Sequence, residues 1–409
     1  MRGHLIAVAI AIIHATPCQA FLISTPASSV TKSRLRQSSD SNSDAPVGTV
    51  VTPNRAKPRE GLAQNLLNAA LSSPFWKLIL VPQARKNIVN TAESNGIQWE
   101  KSYAWLQSQK GPWQSNKKLN YVYPDYYTKE FHAYGEGNLC WDAAIEQELA
   151  SRAVGARNFP SFGSDGEDAF RSSFESAILR LGGDVPENGI IVDLGCGTGT
   201  STRRLADLFP KASKVIGMDL SPYFITVGQS LLDLAPEKET QWVTTIKPDP
   251  RIELRVGDAT NTNFDDESVN AVNLSLIIHE LPIPITLEVC KEALRVLKPG
   301  GNLFISEMDF DSPAYAAQRE NALLFSLLRA TEPYLDDYAD GFEEIRRFLA
   351  ENFEVVKITA ATGRHYALVA TKCSDSTSEI SGEIQDSRFD DLGDYSVDDT
   401  HLKVWESKE

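Results

Sequence analysis

From residue 184 to residue 373 the chain alternates between two apolar patterns. Short apolar runs at 190–194, 214–218, 252–256, 269–275, 302–306, 353–358 and 366–371 predict strands. Between them, apolar residues three and four apart predict helices. Strand and helix in regular alternation predict an α/β fold: a doubly wound, mostly parallel, seven-stranded sheet covered on both faces. Only a short turn containing Gly363 separates the last two runs, so the last strand is expected to be antiparallel. Upstream, residues 60–183 read as a helical, aromatic-rich extension, with helical spacing clearest in "GLAQNLLNAALSSPFWKLIL" at 61–80. Residues 374–409 are rich in Ser, Asp and Glu and predict a disordered acidic tail.

The start of the chain reads as an address. Residues 1–20 have a basic start, an apolar run at 5–13 that is too short to span a bilayer, and a small-residue exit, the composition of a signal peptide. Residues 21–59 are hydroxyl-rich and basic, with no acid before Asp40, the composition of a transit peptide. This order, with Phe21 just after the cut, resembles the bipartite leaders of algae whose plastids lie inside an extra membrane system. Delivery to a plastid is the expectation, and secretion the alternative; no transmembrane segment is expected in the mature chain.

Charge and cysteines narrow the classes further. The net charge is −15, and residues 374–409 carry eleven acids against three bases. An acidic body repels phosphate backbones, so no nucleic-acid partner is expected, whereas the acidic tail suits a protein partner. Without the leader, Cys140, Cys196, Cys290 and Cys373 remain, far apart in sequence. Neither they nor the six scattered His have zinc-type spacing, so no metal is expected, and lone thiols suit a reducing compartment.

Candidate chemistry begins at "GIIVDLGCGTGTSTRRLADLFP", residues 189–210. After a strand, Gly195 and Gly197 allow a sharp turn and let a ligand touch backbone, and a helix from about Gly199 points free N–H groups at that ligand. A dinucleotide fingerprint asks for glycine where Thr200 stands. The second strand ends in Asp219, an acid suited to the two hydroxyls of a ribose. The third leads into Asp258 and Ala259, suited to an adenine amine beside a small side chain.

This ordered set resembles the class I S-adenosylmethionine-dependent methyltransferases over residues 184–373. "VDLGCGTGTS" is similar to their first motif, Asp219 to the acid after their second strand and "VGDAT" to the acid of their third, while "LRVLKPGGNLFISE" resembles the turn and fifth strand of their small-molecule branch. The resemblance implies a Rossmann-like sheet, S-adenosylmethionine as donor and S-adenosylhomocysteine as product. It implies donor contacts at Asp193, Gly195, Cys196, Gly197, Gly199, Asp219, Leu220, Asp258, Ala259 and Ser275. After the fourth strand, "NLSLIIHELP" at 273–282 lacks the Asn/Asp-Pro-Pro-aromatic turn of base and amide methylation. It resembles the ubiquinone and menaquinone C-methyltransferase-like (methyltransferase type 11) branch, which implies a small apolar, phenolic or quinone-like acceptor.

Methyl transfer from a sulfonium has a neutral leaving group, so positioning does most of the work. A base is needed where the acceptor must lose a proton. His279 and Glu280 are the catalytic candidates, with neutral imidazole taking the proton and Glu280 orienting the ring. "YVYPDYYTKEFHAYGEGNLCW" at 121–141 is expected to fold over the donor as a lid, with Tyr126, Tyr127 and His132 as acceptor contacts. Glu307 and Asp309, after the fifth strand, are further candidates for the same cleft. The alternative function is a non-catalytic methyltransferase-fold assembly factor in the plastid; protein or RNA methylation ranks lower.

Overall fold

A computed structural model describes residues 81–113, 121–132, 134–234, 240–243, 247–320, 332–375 and 380–389. The expected leader, the helical pattern at 61–80 and the tail beyond 389 lie outside the described residues. The strands are β1 (Ile190–Leu194), β2 (Lys214–Asp219), β3 (Ile252–Val256), β4 (Val269–Ser275), β5 (Leu297–Met308), β6 (Val355–Ala360), β7 (His365–Thr371) and β8 (Ile384–Asp386). They form one sheet in the order β3-β2-β1-β4-β5-β7-β6-β8. The five strands from β3 to β5 are parallel, and β7 runs antiparallel to both β5 and β6.

Alternating side chains along the strands divide the core between two faces. On one face Val192, Ile216, Val272 and Leu303 pack against α7 (Ile283–Val296) and α9 (Leu335–Asn352). On the other, Ile191, Val215 and Ala271 meet Phe170, Phe174 and Ala177 of α4 (Gly166–Arg180) and Leu205 of α5 (Thr200–Leu208). The helices α1 (Val81–Ser94), α2 (Trp99–Trp113) and α3 (Trp141–Asn158) form a separate cluster with α6 (Pro222–Asp233), through Ile88, Trp99, Leu149 and Val227. Ser221 starts α6: its hydroxyl accepts from Phe224 N–H at 3.3 Å, and Pro222 occupies the first helical turn, where a missing N–H costs nothing. The short α8 (Pro313–Glu320) follows β5.

Two expectations need correction. The sheet has eight strands rather than seven, because β8 pairs in parallel with the outer edge of β6. The eighth strand comes from the stretch expected to be disordered, and a three-residue edge strand needs only backbone pairing, which leaves no apolar signature. Among the described residues no helix is long and apolar enough to cross a membrane.

Candidate functional site

Strand order reverses at β1, whose neighbours are β2 on one side and β4 on the other. In doubly wound sheets the crevice for ligands lies there, beyond the carboxyl ends of the strands. A cavity of about 200 Å³ occupies that position. Gly195 turns the chain into it with φ +70°, and a Cβ on that residue would lie 1.9 Å from Ile277 Cδ1. The Gly195 and Cys196 N–H groups both donate to the Met218 carbonyl, at 2.8 and 3.0 Å, tying the turn to β2. Gly199, at φ +88°, is the N-cap of α5.

The residues implied as donor contacts separate into two groups. Gly195, Cys196, Asp219, Leu220, Asp258, Ala259 and Ser275 line the cavity. Asp193, Gly197 and Gly199 stand behind them. Asp193 is fully buried and its oxygens accept from Ser201 Oγ (2.7 Å), Thr202 Oγ1 (2.6 Å) and Asn273 Nδ2 (2.7 Å), so it braces the turn against α5 and β4. Burial pushes the Asp193 carboxyl upward in pKa, and those three hydrogen bonds oppose it. Gly197 donates its N–H to Asp219 Oδ2 at 2.9 Å.

Asp219 and Asp258 each carry a tyrosine. Asp219 Oδ1 accepts from Ser221 N–H at 2.8 Å and from the Tyr127 hydroxyl at 3.1 Å. Asp258 Oδ1 accepts from Thr260 N–H and Oγ1, while Oδ2 accepts from the Tyr121 hydroxyl at 3.1 Å. The aromatic segment before the sheet therefore lies over both acids. Tyr126, Tyr127 and His132 from this segment line the cavity too.

One face of α3 supplies a wall that the sequence reading missed: Ala143, Gln147, Ala150, Ser151 and Val154 line the cavity. Their spacing of four, three, one and three residues is a helical stripe, legible in principle. Gln147 Oε1 accepts from Thr198 N–H at 2.6 Å, fixing the helix to the glycine turn. Arg171 of α4 was missed as well. Its Nη1 donates to Ser275 Oγ and its Nη2 to Ser151 Oγ, both at 3.2 Å, while its buried Nε stands 3.7 Å from Glu167 Oε1.

His279 and Glu280 also line the cavity. His279, in a one-turn helix after β4, has its Nδ1 2.8 Å from Glu307 Oε1, and the Glu307 carboxylate is completely buried. It is Glu307, not the adjacent Glu280, that orients the ring. The register explains this: Ser275 pairs with Ser306, so the residues just beyond them meet. Burial pulls the His279 pKa down, but the charge and hydrogen bond of Glu307, with Glu332 and Glu280 behind, outweigh it and raise it to about 9. His279 is therefore cationic at neutral pH, contrary to the neutral imidazole expected. Burial lifts Glu280 to about 7, against the pull of His132 and His279. His132 Nε2 stands 2.7 Å from a buried Glu332 oxygen.

Glu307 is absent from the cavity wall and acts from behind His279, and Asp309 pairs instead with Arg388 at 2.9 Å. Two wall residues without glycine's freedom adopt left-handed backbone: His132 at φ +49° and Leu276 at φ +55°. Strain of this kind collects at functional sites.

A methyltransferase domain family matches residues 191–301, from β1 into β5. A demethylmenaquinone methyltransferase of Clavibacter sepedonicus is 30% identical over 212 residues, covering 52% of this chain and 74% of that protein. The chain belongs to the class I S-adenosylmethionine-dependent methyltransferases. A demethylmenaquinone methyltransferase of Bacillus cereus (strain ATCC 10987 / NRS 248) is 27% identical over 142 residues, and this methyltransferase spans 53% of its length. Among solved structures, an S-adenosylmethionine-dependent methyltransferase from Methanococcus maripaludis aligns over 64% of this chain and 100% of its own, at 14% identity and a TM-score of 0.39. In the methyltransferase described here, no group of three or more His, Cys, Asp or Glu among the described residues suits a metal ion.

Proposed function

We propose that this methyltransferase methylates a small, largely apolar acceptor carrying an acidic ring hydroxyl, phenolic or quinol-like, and that Glu280 removes the acceptor proton while His279 holds the resulting oxyanion. The observation that carries the reading is the pair of ionisable groups on one cavity wall: an imidazolium fixed by Glu307 beside the half-buried carboxyl of Glu280, which is raised to about 7. Both shifts are upward, so near neutral pH the ring keeps its proton while Glu280 can take one up and release it, which divides the acid and base roles between them. Apolar walls from Phe131, Ile277, Leu281, Val289 and Met308 suit the body of such an acceptor.

The donor end fits S-adenosylmethionine. Asp219 and Asp258 each direct one oxygen at a tyrosine hydroxyl, and the Arg171 guanidinium on the cavity wall offers the positive charge that a carboxylate needs. Asp219 is assigned to the ribose, Asp258 to the adenine amine, and Arg171 with Ser275 to the amino-acid portion. Bound there, the donor supplies a methyl group on a sulfonium that leaves as a neutral thioether. The chain's own work is then orientation, exclusion of water by the aromatic segment, and the proton transfer to Glu280. Residues 1–59 are proposed to deliver the enzyme to a plastid.

The test is transfer of labelled methyl from S-adenosylmethionine to demethylmenaquinol and simple hydroquinones. Wild-type protein should label the small-molecule fraction, and Glu280→Gln should lower kcat by about 10²- to 10⁴-fold and abolish the limb of the pH profile near 7. Donor binding without label in any small-molecule fraction would refute the enzymatic reading and favour a scaffold.

A further inference from the structure

The C-terminal stretch past β7 contributes more than an edge strand. Two residues after β8, Arg388 turns inward and is 1% exposed. Its Nη1 is 2.9 Å from Asp309 Oδ1 and 3.5 Å from Asp311 Oδ2, and its Nη2 is 2.8 Å from Asp386 Oδ2. The guanidinium also lies 5.6 Å from the Phe342 ring centre, 6.0 Å from Tyr366 and 5.0 Å from Phe389. Burial of a side chain this polar is costly unless charge and hydrogen bonds are matched, as they are here.

What Arg388 grips is the exit of β5. Three consecutive residues there have three duties: Glu307 holds His279, Met308 lines the cavity, and Asp309 meets Arg388. The exit is fixed further by Asp309 N–H donating to the Arg364 carbonyl at 2.9 Å and by the Tyr338 hydroxyl donating to the Met308 carbonyl at 2.6 Å. Asp309 is 2% exposed, and Asp311 stands close enough to share the same guanidinium. Without the arginine, a buried carboxylate must take up a proton or swing towards water, and a swing drags the strand exit with it.

We propose that residues 384–389 are a C-terminal clamp in which Arg388 is a positioning residue, holding the Glu307–His279 pair in register through Asp309. The proposal rests on the pairing of His279 with Glu307, and its test reads that pairing without any acceptor. His279 faces Glu307, Glu280, Glu332 and His132, so its titration reports the local arrangement.

The experiment is an NMR titration of the His279 ring in full-length protein, with S-adenosylmethionine affinity by calorimetry as control. Arg388→Gln should lower the His279 midpoint by one pH unit or more, because the ring loses its carboxylate partner. Loss of a cation by Coulomb's law alone would raise that midpoint, so the sign separates displacement from simple charge removal. Arg388→Lys, which keeps the charge, and the double variant Arg388→Gln/Asp309→Asn, which removes both charges, should titrate like wild type. Donor affinity should change less than about threefold throughout, since none of Asp219, Asp258, Arg171 and Ser275 belongs to the β5 exit. A wild-type or raised midpoint in Arg388→Gln overturns the proposal, as does a double variant displaced as far as the single. If Arg388→Gln does not fold, a folded double variant with a wild-type midpoint supports the clamp, and one that fails to fold or titrates low overturns it.

Discussion

Replacing Glu307 with glutamine keeps the shape of the side chain and removes the charge that holds His279 protonated. In the wild-type protein the ring rises from 6.5 to about 9, with burial opposing and Glu307 prevailing. At about 1.4 kcal/mol for each pH unit, this corresponds to about 3 kcal/mol favouring the charged ring. The sign follows from linkage: a ring whose folded pKa is raised contributes its stability in full below pH 6.5 and loses it as pH climbs through 9. In Glu307→Gln the burial that pulls the pKa down is opposed only by the weaker pulls of Glu332 and Glu280, so the ring loses its proton well below pH 9. Wild type should therefore exceed the variant by about 3 kcal/mol at pH 6, with the gap closing by pH 10. Urea unfolding of both proteins at pH 6, 7.5, 9 and 10 measures it, with the slopes compared to confirm a common transition. A gap that stays constant across that range would refute the assignment of the imidazolium to Glu307.

Asp219→Ala should weaken S-adenosylmethionine binding by about 1 to 3 kcal/mol in a folded protein, the cost of stranding hydrogen-bonded groups, and unchanged affinity by calorimetry would remove the ribose assignment. Arg171→Met should cut donor affinity by about tenfold or more while circular dichroism stays native; a variant that binds normally would release Arg171 from the donor site. A fluorescent protein fused behind residues 1–59 should reach a plastid, and deletion of residues 1–20 should leave it in the cytosol. Secretion of the full fusion into the medium would overturn the bipartite reading.

The strands and acids of the cavity wall assigned to the donor were largely legible because their signals are local. β1, β3 and β4 fall where the apolar runs placed them, and Asp219 and Asp258 stand on the cavity wall as the strand-end rule required. The acceptor half was legible only in its residue types. His279 and Glu280 are neighbours in sequence, but the ring is held by Glu307, 28 positions away, because the β4–β5 register decides who meets whom. Arg388 was invisible for a related reason: a lone arginine in an acidic stretch reads as solvated, and its burial depends on three aspartates and three rings gathered by the fold. Asp193 shows the converse. Its place in the motif implied donor contact, whereas its oxygens accept from Ser201 and Thr202 nearby and from Asn273, 80 positions away.

The tyrosines resting on the two acids change what an affinity measurement means. With Tyr127 on Asp219 and Tyr121 on Asp258, hydroxyls of the chain itself occupy the oxygens that the proposed function assigns to the donor nucleoside. On that assignment, donor entry would be an exchange of partners, the tyrosine hydroxyls giving way to ribose hydroxyls at Asp219 and to the adenine amine at Asp258, with a net gain smaller than the contacts in the complex imply. The same internal competitors would stand ready when product must leave. The aromatic segment would then act as a built-in counterweight against a site that keeps its spent donor.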